Sequence, residues 1–201
     1  MNKQKGKLLT ILGAVLVLSA LFLFAMNYFE DVSAGQQSAE RLNDLIAAMD
    51  AAPGAEGTDD ALQQMDLSTH EMTETVVDGK AYIGYLTIPK LQLELPILSE
   101  WSYPNLQLAP CRYTGAISTG DLVLLAHNYS RHFGRITELK SGDEILFTDA
   151  EGREFCYTVA QKETLGAGDV EEMLSSPYDL TLFTCTLDGG SRHAVRCDLA
   201  Q

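Results

Sequence analysis

The chain has 201 residues, enough for one domain plus an appended segment, and its formal net charge is −14. Such an excess of acidic residues argues against nucleic-acid binding, which needs basic patches. The four cysteines include no Cys-x-x-Cys pair and show no regular spacing, so the sequence predicts neither a disulfide framework nor a zinc centre.

The N-terminus has the pattern of a membrane anchor. Three lysines within residues 1–7 precede an apolar run over residues 8–29, which is about the length that a helix needs to cross a bilayer. Positive charge before the run and the acids Glu30 and Asp31 after it predict a single-pass protein of the cell membrane. Residues 1–7 would be cytoplasmic, residues 8–29 would span the membrane, and the residues that follow would be extracellular. A signal peptide cleaved at the small residues 32–34 is the alternative.

Residues 30–76 carry a net charge of −10, which is typical of a solvated acidic linker rather than of a core. Within them, residues 40–52 have apolar side chains at helical spacing, and Pro53-Gly54 would end a helix there. A short packing helix is one interpretation. We favour a flexible stalk that holds the following domain away from the membrane.

From residue 77 onwards the pattern changes to short strands separated by turns. Seven or eight such strands predict an all-β fold, a closed barrel or a sandwich, and we infer closure from the strand count. The predicted strands are Ala81–Ile88, Leu91–Leu98, Asp121–Ala126, Asp143–Asp149, Glu154–Ala160, Leu180–Thr186 and Arg192–Leu199. Only residues 135–139 and 169–174 have helical character.

A thiol and a guanidinium are expected close together near the C-terminus. Cys185 ends a buried strand, and Arg192 opens the next strand after a tight Asp188-Gly189-Gly190 turn. A thiol beside a permanent positive charge favours the reactive thiolate. Considered alone, a cysteine at a strand end is more often part of core packing than a catalytic residue.

One histidine is placed to join that pair. His127 directly follows the buried strand that ends at Ala126, so its imidazole should emerge at a rim of the sheet. Thiolate, imidazole and guanidinium together can act as nucleophile, general acid and base, and oxyanion stabiliser.

Residues 77–201 resemble the sortase family over their whole length. The resemblance lies in the order and spacing of short motifs, above all Thr181-Leu182-Phe183-Thr184-Cys185. The other motifs are Gly84-Tyr85-Leu86-Thr87-Ile88-Pro89, Leu95-Pro96-Ile97, Ala126-His127-Asn128, Phe133-Gly134-Arg135, Leu139-Lys140-Ser141-Gly142-Asp143 and Arg192-His193-Ala194-Val195.

The resemblance implies an eight-stranded sortase barrel with His127, Cys185 and Arg192 as the catalytic residues. Thr184 and Asn128 are candidate substrate contacts. Arg196 competes with Arg192, but on an extended strand it would lie about 13 Å further from the rim. His132 and His193 compete with His127, and His132 could line the groove from its loop.

The resemblance also implies a transpeptidase that cleaves Leu-Pro-x-Thr-Gly-like sorting signals of secreted proteins through a thioacyl-enzyme. The acceptor would be an amine of a lipid-linked peptidoglycan precursor or a pilin lysine. The alternatives are a cysteine endopeptidase that hydrolyses the same peptides and a catalytically silent binding barrel.

Finer features are less determined. No apolar run follows Leu199 and the segment 161–178 is short, which favours an anchoring sortase of class A, D or E over class B or C. No cofactor or metal is expected, with calcium at Glu138, Asp143 and Glu144 as a minor alternative. The other cysteines are expected to be reduced, although a Cys111–Cys156 or Cys156–Cys197 bridge stays open.

Overall fold

A computed structural model describes residues 3–51, 72–175 and 177–200. The chain divides into two compact units, one ending at Ser33 and the other beginning at Ala34. Helix α1, Lys3–Asp50, contributes to both. In the first unit its apolar side chains are exposed, and α1 contains a segment long and apolar enough to cross a membrane. This is consistent with the predicted membrane anchor.

The second unit is built on nine strands within the described residues. In chain order they are β1 (Thr75–Val77), β2 (Lys80–Ile88), β3 (Leu93–Leu98), β4 (Cys111–Thr114), β5 (Leu122–Leu125), β6 (Glu144–Asp149), β7 (Glu154–Gly166), β8 (Leu180–Cys185) and β9 (Ser191–Leu199). Helices α2 (Tyr103–Leu108) and α3 (Val170–Leu174) and 3-10 turns at Pro89–Leu91 and Ile136–Glu138 lie between them.

Eight of these strands close into a barrel. They are hydrogen-bonded in the order β2-β3-β4-β5-β8-β9-β7-β6, and β6 pairs back onto β2 to complete the ring, with β1 as a three-residue addition to β2. Every barrel strand has two neighbours, and the contact between β3 and β4 is limited to the pair Leu98 and Cys111. The closed eight-stranded barrel predicted from the sequence is therefore confirmed.

The closing seam depends on a glycine. Gly84 in β2 has a φ of 136° and lies so close to the main chain of Thr148 and Asp149 in β6 that a Cβ would overlap the Thr148 carbonyl oxygen. A side chain at this position would push the two strands apart. Inside the ring, the aliphatic and aromatic side chains of the strands form one continuous core that includes Phe147 and Tyr157.

The N-terminal boundary of the folded domain differs from the expectation. Residues 34–50 do not form a stalk: they are the end of α1, and one face of this segment is buried in the second unit. The face consists of Ala34, Ser38, Leu42, Leu45 and Met49, spaced three or four residues apart as on one side of a helix. Complete burial of Leu45 alone contributes about 2 kcal/mol. Residues 52–71 of the expected linker lie outside the described residues, and its last two residues, Thr75 and Val76, belong to β1.

Three further elements departed from the sequence prediction. Helix α2 begins at the cap Ser102, whose side chain accepts a hydrogen bond from the Asn105 amide at 3.2 Å, and it is too short to show a period. Cys111 begins β4, a strand that the sequence did not predict. Strand β7 continues to Gly166 rather than ending at Ala160, because its polar second half pairs with β9.

The helical segments expected at residues 135–139 and 169–174 occur as a 3-10 turn and as α3. All four cysteines are free thiols, so neither of the two disulfide pairings is formed.

Candidate active site

The strand pairing brings the three predicted catalytic residues to one rim of the barrel. Strands β5 and β8 are parallel, with Leu125 opposite Phe183, so both strands end at the same rim. His127 follows β5 by two residues, and Cys185 is the last residue of β8. Arg192 on antiparallel β9 is the register partner of Cys185.

His127, Cys185 and Arg192 line a single groove with a volume of about 230 Å³. Aromatic rings form much of its wall: Trp101 stacks on Tyr113 with ring centroids 5.6 Å apart, and Tyr113 meets the ring of Phe183 edge-on at 5.4 Å. The other lining residues are Tyr103, Leu106, Leu125, Ala126, Gly166, Ala167, Asp169, Val170 and Met173. The groove thus combines apolar walls with three chemically active side chains, as ligand sites commonly do.

His127 is half-buried at the rim. Burial lowers the pKa of its imidazole, because the charged form is less well solvated there than in water. The neutral imidazole is therefore favoured in the free protein, which suits a group that must both accept and return a proton.

The turn between β8 and β9 orients Arg192. The Asp188 carboxylate accepts hydrogen bonds from the Thr186 hydroxyl at 2.5 Å and from the Gly190 amide at 3.1 Å, and these bonds lower the pKa of Asp188. Arg192 Nη1 donates to the carbonyls of Gly189 at 3.1 Å and Ser191 at 2.8 Å. Among the described residues the guanidinium forms no ion pair, so its charge is available to the groove.

Arg196, the competing arginine, occupies a different environment. It is buried, and its Nε lies 2.6 Å from the Glu163 carboxylate. Its other donors bond to the Thr181 hydroxyl and the carbonyl of Met173, each at 2.9 Å, and to the carbonyl of Glu172 at 2.7 Å. Arg196 therefore attaches α3 to the barrel and does not line the groove.

The competing histidines also lie elsewhere. His132 is completely buried, with Nε2 2.8 Å from the Ser38 hydroxyl of α1, and the expectation that it lines the groove is wrong. His193 Nδ1 lies 3.1 Å from the Thr164 hydroxyl on β7. Of the histidines that the structure describes, His127 is the one in the groove wall.

The two candidate substrate contacts do not line the groove. Thr184 is buried, and its hydroxyl donates to the Ala126 carbonyl at 2.8 Å, which fixes the main chain directly before His127. Asn128 is absent from the groove wall, and its main chain lies against Gly134. Neither Thr184 nor Asn128 is therefore among the residues that line this groove.

No group of three or more metal-ligating side chains occurs among the described residues. Of the three acids considered for calcium, Glu138 is paired with Arg135 at 2.9 Å and Asp143 accepts the Lys140 amide at 2.8 Å. The structure does not assemble them into a cation site.

Sequence reasoning missed the aromatic part of the groove wall. Trp101, Tyr103 and Tyr113 lie between the predicted strands, where no periodic pattern includes them. The one available signal was their density, since three large aromatic residues within thirteen positions are unusual outside a core.

Comparisons with known proteins agree with this geometry. The family model of the Sortase domain matches residues 86–200. Sortase A of Bacillus anthracis is 28% identical over 209 residues, which cover 99% of this chain and 97% of that protein. A sortase C1 structure from Streptococcus suis is 28% identical with a TM-score of 0.53, and covers 60% of this chain and 73% of that one.

The fold is also shared with more distant structures. Sortase C1 of GBS pilus island 1 superposes with a TM-score of 0.62 at 19% identity, over 82% of this chain and 92% of that one. The family match, the closed barrel and the rim that joins His127, Cys185 and Arg192 lead to one conclusion: the chain belongs to the sortase family, whose members are cysteine transpeptidases of the cell surface.

Proposed function

We propose that this protein is a membrane-anchored sortase that cleaves a Leu-Pro-x-Thr-Gly-like sorting signal and transfers the protein to a cell-surface amine. The observation that carries the proposal is the convergence of His127, Cys185 and Arg192 in one groove with apolar walls. A thiol, an imidazole and a guanidinium in that arrangement are sufficient for acyl transfer.

In the first half-reaction the His127 imidazole accepts the proton of the Cys185 thiol, and the resulting thiolate attacks the carbonyl carbon after the threonine of the signal. The oxygen of that carbonyl becomes an oxyanion, which the Arg192 guanidinium stabilises through its free N–H donors. The peptide C–N bond then breaks, the leaving amine takes a proton from the His127 imidazolium, and a thioester remains on Cys185.

In the second half-reaction an amine attacks the thioester. His127 accepts the proton from that amine, the C–S bond breaks, and the Cys185 thiolate is restored. The acceptor in this proposal is the amine of a lipid-linked peptidoglycan precursor or a pilin lysine.

The apolar segment of α1 supports a location in the cell membrane, with residues 1–7 cytoplasmic and the barrel extracellular. The protein that contains the sorting signal and the amine acceptor would both be held at that outer surface. Identity is 28% both to the sortase A and to the Streptococcus suis sortase C1, so it does not separate the classes, and the class A, D or E type is proposed on the sequence features alone.

The test is a transpeptidation assay on the full-length protein in detergent micelles. Peptides of the Leu-Pro-x-Thr-Gly type are mixed with the protein with and without a lysine or peptidoglycan-stem amine, and products are identified by mass spectrometry. We expect a thioester adduct on Cys185 and an amide product only with an amine present. Cys185→Ala should form no adduct, whereas the matched control Cys156→Ala, another half-buried thiol, should behave as wild type.

Two outcomes would contradict the proposal. Hydrolysis at the same rate with and without amine would make the protein an endopeptidase. No adduct on Cys185 with any sorting peptide would leave a binding barrel.

A further inference from the structure

The loop after β5, residues 127–134, is attached to the N-terminal helix. His132 in this loop is completely buried, and its Nε2 lies 2.8 Å from the hydroxyl of Ser38 on α1, which is itself buried. Both residues belong to the second unit, so this contact is internal to the folded domain. It joins a helix outside the barrel to the loop that begins with His127.

The hydrogen-bond geometry identifies the donor. The Ser38 hydroxyl also lies 3.1 Å from the carbonyl of Leu108 at the end of α2, and a carbonyl can only accept. Because a serine hydroxyl has one hydrogen, it donates to Leu108, and the bond to His132 must come from Nε2–H. Through these two hydrogen bonds Ser38 connects both the loop and the end of α2 to one turn of α1.

The loop transmits the position of His132 to His127. The ring of Tyr129 is close to both imidazoles, with its centroid 5.2 Å from that of His127 and 5.6 Å from that of His132. The Tyr129 carbonyl accepts hydrogen bonds from the amides of His132 at 2.9 Å and Gly134 at 2.8 Å, and the His127 carbonyl accepts from the Phe133 amide at 3.3 Å. These hydrogen bonds close the loop on itself, so we expect residues 127–134 to move together.

Close packing leaves this loop little freedom. A Cβ on Gly134 would lie 2.7 Å from the Tyr129 carbonyl oxygen, and one on Gly35 of α1 would overlap the side chain of Arg131. Small residues at both positions allow the loop to fold tightly and α1 to lie directly on it. Loss of the Ser38–His132 bond therefore removes a buried hydrogen bond between α1 and a packed loop whose first residue is His127.

We propose that Ser38 and His132 are positioning residues, which hold His127 in its catalytic orientation through Tyr129. Residues 34–50 of α1 are then part of the active enzyme rather than a spacer. This inference rests on the proposed function, in which His127 transfers the protons.

The test compares Ser38→Ala and His132→Leu with His132→Gln in the full-length protein. The first two remove the bond, and glutamine keeps an N–H donor near the position of Nε2. We expect Ser38→Ala and His132→Leu each to lower kcat for acyl-enzyme formation by about ten- to a hundredfold at an unchanged KM. His132→Gln should recover most of the rate, and the double variant Ser38→Ala/His132→Leu should be no slower than either single variant.

Arg41→Gln is the matched control. Arg41 pairs with Asp78 at 3.0 Å and so attaches α1 to the β1–β2 turn without touching the loop. It should keep the wild-type kcat. If Arg41→Gln slows the enzyme as much as Ser38→Ala, general loosening of α1 explains the loss and the proposal is overturned.

A second readout does not depend on activity. In protein labelled with ¹³C at the histidine Cε1 positions, the His127 resonance should shift or broaden in Ser38→Ala and stay unchanged in Arg41→Gln. An unchanged His127 resonance in Ser38→Ala would refute the positioning role. If the wild type forms no acyl-enzyme, the proposed function fails, and this resonance still decides whether Ser38 and His132 control the position of His127.

Discussion

The two ends of the β8–β9 ladder contain the same pair of functional groups in opposite environments. At the groove, half-buried Cys185 is the register partner of Arg192. At the other end, Cys197 and Arg196 pair with Leu180 and Thr181, and both are buried. Burial raises the pKa of the Cys197 thiol to about 12, and Arg196 is paired with Glu163. The presence of a cysteine and an arginine therefore does not by itself distinguish a reactive site from a buried structural one in this ladder.

Under the proposed function, the relevant difference is which N–H donors each arginine leaves available to the groove. Arg196 directs four of its five N–H donors to fixed protein acceptors and is buried away from the groove. Arg192 bonds through Nη1 to two main-chain carbonyls of its own turn and keeps its other donors for the groove. Four predictions test this contrast, beginning with the largest expected effect.

The largest expected difference between the two ends of the β8–β9 ladder is in the rate at which their thiols are alkylated. At pH 7.5, iodoacetamide should alkylate Cys185 in the native protein at least about a thousandfold faster than Cys197 or Cys111, since alkylation requires an accessible thiolate. Burial raises the pKa of Cys111, like that of Cys197, to about 12. Peptide mapping by mass spectrometry after timed quenching measures each rate. Equal rates for Cys185 and Cys197 would remove the contrast.

The two arginines should fail in different ways. Arg192→Ala should lower turnover by about a hundred- to a thousandfold, the usual effect of removing an oxyanion donor, and leave the unfolding free energy nearly unchanged. Arg196→Ala should lower the unfolding free energy by about 3 kcal/mol, because the Glu163 carboxylate and the Thr181 hydroxyl lose their partner. Steady-state kinetics and urea titration measure the two quantities. A dead Arg196→Ala that is fully stable, together with an active Arg192→Ala, would reverse the assignment.

The Thr184 hydroxyl should contribute to the stability of the fold rather than to substrate binding. Thr184→Val removes the hydroxyl that donates to the Ala126 carbonyl, and should lower the unfolding free energy by about 1 kcal/mol. Thr184→Ser keeps the hydroxyl and serves as the control. If Thr184→Val instead raised KM for a sorting peptide at unchanged stability, the side chain would contact substrate after all.

The smallest effect concerns pH. Burial lowers the pKa of His127 in the folded protein, whereas an unfolded histidine has a pKa of about 6.5. Below about pH 6.5 the unfolded chain binds more protons at this residue, so falling pH reduces stability down to the folded pKa. Wild type should therefore lose more unfolding free energy than His127→Gln between pH 7.5 and 5.5, as measured by urea titration. Parallel curves for the two proteins would show that His127 is not desolvated.

The barrel was largely predictable because its signals are local. Alternating side chains and Gly/Pro turns marked seven of the strands, and the buried run before His127 marked the rim. The missed pieces were short: β1 and β4 have three and four residues, and α2 has six, which is less than a period needs. Residues 40–52 did show helical spacing, but their acidic surroundings made a stalk the favoured interpretation.

By itself the sequence determined a membrane-length apolar segment, an all-β domain and the chain order of His127, Cys185 and Arg192. These features follow from composition, from the spacing of apolar residues and from the spacing of motifs, all of which are properties of residues close together in the sequence. Only the tertiary structure decided that residues 34–50 pack on the domain, that Trp101 and Tyr113 form the groove wall, and that Arg196 is a structural residue. Each of those depends on a partner far away in sequence, and burial and hydrogen-bond satisfaction arise only when such partners meet.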